Sequence, residues 1–226
     1  MKKDIETRFT GWAFVIAAVF LWGGWLLLHH HIGEYFVIED FAAINENIWY
    51  WIWMFRIFIF GWVIMGLAMF ALAGITAQKP YRVFTFSGAG IVIVGTFTLA
   101  LAYAFYYSYG SWGVGEIEGN SPAENEQFLE RLMFTNHYVT CLVRFGRIFS
   151  GVGLVLLGFA LMKWKIVQPW LGGVTLLLGL VAMGIILLIP VNFEIYKPVF
   201  HFKVLWLALM GVSILMRGIN ISEAES

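Results

Sequence analysis

A single cysteine, Cys141, stands in a chain of 226 residues, which excludes an intrachain disulfide framework and any C-x-x-C redox or zinc motif. Charge is nearly as scarce. Only 12% of the residues are Asp, Glu, Lys or Arg, against roughly 25% in an ordinary soluble domain. The 14 basic and 14 acidic residues cancel, so no global basic field marks nucleic acid as a partner. The usual catalytic signatures are missing too: there is no H-E-x-x-H, no glycine-rich phosphate loop, no G-x-S-x-G and no cysteine-rich ligand set.

Apolar side chains fill the space that charge leaves. At 61% hydrophobic, the chain carries more apolar surface than a water-soluble fold of this size hides, and lipid is the solvent that accounts for the missing polar cover. A backbone in lipid must satisfy its own N–H and C=O groups, which for long apolar runs means helices of about 20 residues. Six such runs lie at about 11–28, 48–77, 83–107, 132–162, 167–189 and 199–216. The expected fold is therefore an all-α integral membrane protein, a single domain over 1–226 built as a bundle of about six transmembrane helices. The first run follows Lys2 and Lys3 as a signal peptide would, but Trp25-Leu-Leu-Leu-His offers no small-x-small cleavage site, so it reads as a retained span. The second and fourth runs exceed the bilayer and must tilt or project.

Two kinds of loop alternate between the runs. Lys2, Lys3 and Arg8, the stretch from Ala77 to Arg82, Lys163 with Lys165, and Arg217 are basic. Placing them all on one face satisfies the positive-inside rule with an even number of crossings, so both termini are expected in the cytoplasm. The two longer loops on the other face are acidic, one with Glu34, Glu39, Asp40 and Glu46, the other with Glu116, Glu118, Glu124, Glu126 and Glu130. In the second, Gly-Ser-Trp-Gly-Val-Gly-Glu and Gly-Asn-Ser-Pro read as turns, and Pro122 to Glu130 starts a helix that runs into the fourth span. Phe36 to Ile44 reads as a short interfacial helix. The expected location is the inner or plasma membrane, with the lipid bilayer and other membrane subunits as partners.

Aromatic clusters such as Trp49, Tyr50, Trp51 and Trp53 mark span ends, where ring and polar tip are both satisfied. Glycines within the spans, among them Gly88, Gly146, Gly151, Gly153, Gly158, Gly172 and Gly179, are read as packing devices that let backbones approach. An Arg-Ile-Phe tripeptide recurs at Arg56 and Arg147, too short a match to establish duplicated halves.

About 20 residues counted from each cytoplasmic anchor bring the outer hydrocarbon boundary near His29, Phe58, Val143 and Pro198. His29, His30, His31, Arg56, His137, Arg144, Arg147, His201 and Lys203 all fall at or near that level. Charge inside a span is unfavourable by about 2.5–3.5 kcal/mol and generally faces the bundle interior or a wet cavity. Arg147, the deepest arginine, is expected to face inward. The bland alternative is that these arginines and lysines snorkel to headgroups or pair with the acidic loops. The three consecutive histidines point about 100° apart on a helix, so they cannot all reach one ion.

Three functions follow. The leading one is a non-catalytic subunit or ligand-binding module with Arg56, Arg144, Arg147, Lys203 and some of the histidines around an anionic or polar group at the outer face, since arginine forks match carboxylate and phosphate. The second is a quinone-linked redox protein in which His137, His201 or His29 ligates haem b or a metal ion. The third is an anion transporter or channel. No catalytic residue is assigned.

Overall fold

The computed structural model describes residues 2–26, 36–163, 167–189 and 193–224. His29, His30 and His31, as well as Lys165 and Pro190, lie outside the described residues. All regular structure in the described residues is helical: α1 (Lys2–Leu26), α2 (Ile38–Glu46), α3 (Ile48–Ile75), α4 (Arg82–Ile117), α5 (Pro122–Lys163), α6 (Pro169–Leu188) and α7 (Phe193–Ala224). Every helix except the nine-residue α2 is long and apolar enough to cross a membrane. Exposed apolar side chains such as Phe60, Phe70, Phe97, Phe145, Leu177 and Phe202 cover the outside of these helices, the surface that lipid tails would meet.

The six long helices pack in chain order around a ring: α1 on α3, α3 on α4, α4 on α5, α5 on α6, and α7 closing between α6 and α1. Close approaches at glycine reveal their direction. A methyl group at Gly88 would stand 2.8 Å from the Gly153 carbonyl oxygen and one at Gly95 would stand 2.7 Å from that of Gly146, so α4 and α5 run antiparallel. Gly151 meets Gly179 across α5 and α6, Gly24 meets Phe58 across α1 and α3, and Gly11 meets Gly211 across α1 and α7 in the same sense. Both termini therefore share one end of the bundle with the connections after α3 and α5.

The glycines of the two tightest seams are spaced by seven: Gly88 and Gly95, Gly146 and Gly153, Gly151 and Gly158, Gly172 and Gly179. Seven residues are about two helical turns, so each pair lies on one stripe, the arrangement that lets two helices approach along their length with a shallow crossing. The packing role expected of these glycines holds at each of these positions.

Two expectations are corrected at the end remote from the termini. The third span was expected to stop at Tyr107 and give way to turns; instead α4 continues to Ile117. Gly110 and Gly113 in this extension are notches in a helix: Trp51 fills the first, and a methyl group on the second would lie 2.6 Å from Phe41. The helix over Phe36 to Ile44 does form, at Ile38–Glu46, but Phe41 and Ile44 are fully buried against the protein and Phe36 stacks on Phe41. Its apolar face covers α4 and α3 instead of lying in the membrane surface. The helix start expected at Pro122 is present and has a chemical reason. Ser121 N–H and Oγ donate to Glu124 Oε2 at 2.7 and 2.8 Å, and Glu124 N–H donates back to Ser121 Oγ at 3.4 Å, a capping box followed by Pro at the first helical position.

Candidate functional site

One small cavity opens inside the ring, lined by Trp25 from α1, Trp62 from α3, Leu99 and Tyr103 from α4, Arg147 from α5, and Tyr196, Lys197, Phe200 and Lys203 from α7. The space in it that a water-sized particle can reach is about 10 Å³, enough to admit water. Among the described residues, three cationic side chains and no carboxylate line it.

The helices that carry these groups place them at one level. Inward from the boundary positions expected from the sequence, Trp25 is four residues from His29, Trp62 four from Phe58, Arg147 four from Val143 and Lys203 five from Pro198. At about 1.5 Å per residue, all four stand about 6–8 Å inward of those expected boundary positions. On α7, Tyr196, Phe200 and Lys203 follow an i, i+4, i+7 spacing and so share one stripe.

Arg147 and Lys203 are the centre of the site. Arg147 is 5% exposed and Lys203 is 2% exposed. The Arg147 guanidinium lies over the Tyr196 ring at 3.9 Å. The Lys203 ammonium faces the Trp62 ring at 5.0 Å. Ring faces carry negative quadrupole potential and stabilise a desolvated cation by about 2 kcal/mol, which offsets part of the several kcal/mol that burying each ion costs. The rings are held by one another: Trp62 stacks on Tyr103 at 6.3 Å, Phe58 stacks on Phe200 at 5.7 Å, and Trp25 packs on Phe200 at 5.1 Å.

Hydrogen-bond chemistry points the same way as charge. Lys, Arg and the indole N–H can only donate, while a tyrosine hydroxyl does both. The Trp62 Nε1 atom is buried without a hydrogen-bond partner. Among the described residues the wall is thus rich in donors, and only the two tyrosine oxygens are side-chain acceptors.

The other expected site residues are dispersed. Arg56 is half-buried on α3, donates to the Tyr107 hydroxyl at 3.0 Å, and lies over Trp53 and Tyr107 at 5.2 and 5.6 Å. Arg144 is half-buried and does not line the cavity. His137 and Cys141 are exposed. Arg147 stands six residues beyond Cys141, about 120° around the helix, which puts it on the buried face with Asn136, Thr140 and Ser150. His201 accepts a hydrogen bond at Nδ1 from Trp22 Nε1 at 3.2 Å and packs edge-on to Trp25 at 5.4 Å. Among the described residues, no three His, Cys, Asp or Glu side chains converge on a point.

The sequence reading singled out Arg147 and Lys203 but did not join them to Trp62, Tyr103 and Tyr196. The available signal was the stripe on α7, in which a lysine recurs seven residues after a tyrosine inside a span. Compared with protein-family models, with curated proteins and with solved structures, the chain matches none. The cavity chemistry alone therefore carries the functional reading.

Proposed function

We propose that this multi-pass membrane protein is a non-catalytic module or subunit that binds an anionic group in the cavity between α1, α3, α4, α5 and α7. The observation that carries the reading is the burial of Arg147 and Lys203, with Lys197 beside them, in a wall that among the described residues is rich in hydrogen-bond donors. Two like charges in a low-dielectric interior repel one another strongly. An anion between them reverses the sign of both interactions and fills the donors that face it. By the positive-inside placement, the cavity lies in the outer leaflet.

A binding role fits better than passage across the membrane. The half of the bundle nearer the termini is closed by fully buried Met69, Leu72, Leu157, Leu161, Leu207, Met210 and Ile214. Thr10, Thr76 and Thr175, buried there, return their hydroxyl protons to their own helices, and Thr85 Oγ1 is buried there without a hydrogen-bond partner.

The test is thermal unfolding of the full chain in mild detergent at constant ionic strength, with the bulky anion gluconate replaced in turn by halide, acetate and phosphate. A ligand that binds only the folded state raises Tm with its concentration. At least one of these anions should do so for the wild type and for Lys163→Gln, at the far end of α5, and Arg147→Gln should abolish the response. A wild-type Tm indifferent to every anion removes the proposal.

A further inference from the structure

Independently of what fills the cavity, we infer that the lipid headgroup layer at the end remote from the termini meets the protein at a belt of exposed rings, Trp49, Trp53, Trp112 and Phe134, and that α6 stops short of this belt, within the hydrocarbon. Close approaches between helices put the rings at one level. Gly66 on α3 faces Thr96 on α4 and Trp51 faces Gly110, while Gly95 on α4 faces Gly146 on α5. Counting outward from these contacts along antiparallel helices, Trp49 comes level with Trp112, and Trp53 and Phe134 fall about one turn below them. All four side chains are more than half exposed.

Exposed charge divides at the same level. Beyond the belt stand Glu116, Glu118, Glu124, Glu126, Glu130 and Arg131, all exposed. On its other side no Asp, Glu, Lys or Arg of α3, α4 or α5 is exposed before Arg82 and Lys163, and the surface is made of side chains such as Phe60, Phe97, Leu101 and Phe145. Indole rings favour that boundary because the ring is apolar and its N–H is not. The exposed rings Phe134 and Phe159 lie 25 residues apart on α5, about 37 Å of helix, between the roughly 30 Å of a hydrocarbon core and the roughly 40–45 Å of core plus headgroups. The belt therefore stands nine residues beyond the boundary expected at Val143, about 13 Å, and the cavity lies toward the floor of that leaflet. α6 does not reach as far. Gly179 packs on Gly151, so Leu188 is level with Leu142, about 12 Å below Phe134. Leu187, Leu188 and Ile189 at this end are exposed and apolar. Such an end belongs in hydrocarbon, and the leaflet beside α6 thins to meet the shorter span.

The experiment is spin-label accessibility of the full chain in phosphatidylcholine vesicles. One nitroxide is attached to the native Cys141, which is exposed and lies seven residues inward of Phe134, about 10 Å. In a Cys141→Ser background the label goes to Leu188→Cys or to Gln127→Cys, both exposed positions. Collisions with oxygen, which concentrates in hydrocarbon, should exceed those with a water-soluble nickel chelate at Cys141 and Leu188, and the order should reverse at Gln127. A boundary at Val143 would leave Cys141 among the headgroups with the chelate dominant, and that result overturns the belt. Oxygen dominance at Gln127 overturns it as well, by carrying hydrocarbon past the acidic segment. Oxygen dominance at Cys141 with chelate dominance at Leu188 keeps the belt and overturns the burial of the α6 end in lipid. Cys141 needs no substitution, so the belt is tested on the native sequence even if the Leu188 variant fails to fold.

Discussion

Trp206 and Thr175 tie α7 to α6 through one buried hydrogen bond. Trp206 Nε1 donates to Thr175 Oγ1 at 2.7 Å, and the threonine proton goes on to the Leu171 carbonyl at 2.6 Å. Both side chains are essentially free of solvent. Thr175→Val keeps the shape but strands a buried indole N–H, so it should cost about 1–3 kcal/mol. Adding Trp206→Phe to it should cost less than the sum of the two single changes, since the stranded donor is gone; reversible unfolding in mixed micelles reads the coupling, and strict additivity would mean that the bond contributes nothing. Individual polar residues of this kind were partly legible. Arg147 was identified as inward-facing because a guanidinium that deep has few other options. Trp62, Tyr103 and Tyr196 were not, because aromatic residues near span ends are already accounted for by the membrane interface, and composition cannot tell a ring facing headgroups from one facing a cation. His201 looked like a candidate ligand, and only the placement of Trp22 shows that its Nδ1 is engaged.

Helix by helix, the spans were readable from apolar run length, and their ends were not. Lipid enforces the helical backbone over the apolar stretch, whereas beyond it each helix stops where its own caps and contacts dictate. The capping box at Ser121 is written in the sequence; the continuation of α4 through Gly110 and Gly113 is not, because glycine in a loop and glycine as a packing notch are the same letter. The notches give a test. Gly113→Ala would press on Phe41, the anchor of α2, so amide exchange over residues 38–46 should speed several-fold while the spans keep their protection. The seven-spaced glycines make a second prediction. Gly153→Ala places a methyl group 2.6 Å from the Gly88 carbonyl oxygen and should destabilise by about 1–3 kcal/mol through overpacking. Gly90, with nothing within 4 Å of an added methyl, should tolerate alanine or gain up to about 1 kcal/mol from its helix propensity. Equal effects at Gly90 and Gly153 would contradict the close-packed seam between α4 and α5.

For the molecule as a whole, antiparallel packing of neighbours around the ring makes the number of crossings even, and charge then chooses between the two ways of placing that ring in a bilayer. The connection after α3 carries Lys79 and leads into α4 at Arg82, and the helix before the next terminal-side connection ends at Lys163. The segment between α4 and α5 is flanked by Glu116, Glu118, Glu124 and Glu126. Basic residues resist translocation far more than acidic ones do, so the terminal end should stay in the cytoplasm and the cavity should open toward the other side. A cysteine scan resolves this cleanly because Cys141 is the single native thiol. In a Cys141→Ser background, Gln127→Cys and Gln78→Cys each replace an exposed residue at opposite ends of the bundle. A membrane-impermeant maleimide applied to intact cells, or to spheroplasts if an outer envelope blocks it, should label the first at once and the second only after permeabilisation. The reverse pattern would put both termini outside and turn the cavity toward the cytoplasmic leaflet. Its anion would then be drawn from the cytoplasm. The chemistry of Arg147, Lys203 and Trp62 would be unchanged, and only the compartment that supplies their ligand would differ.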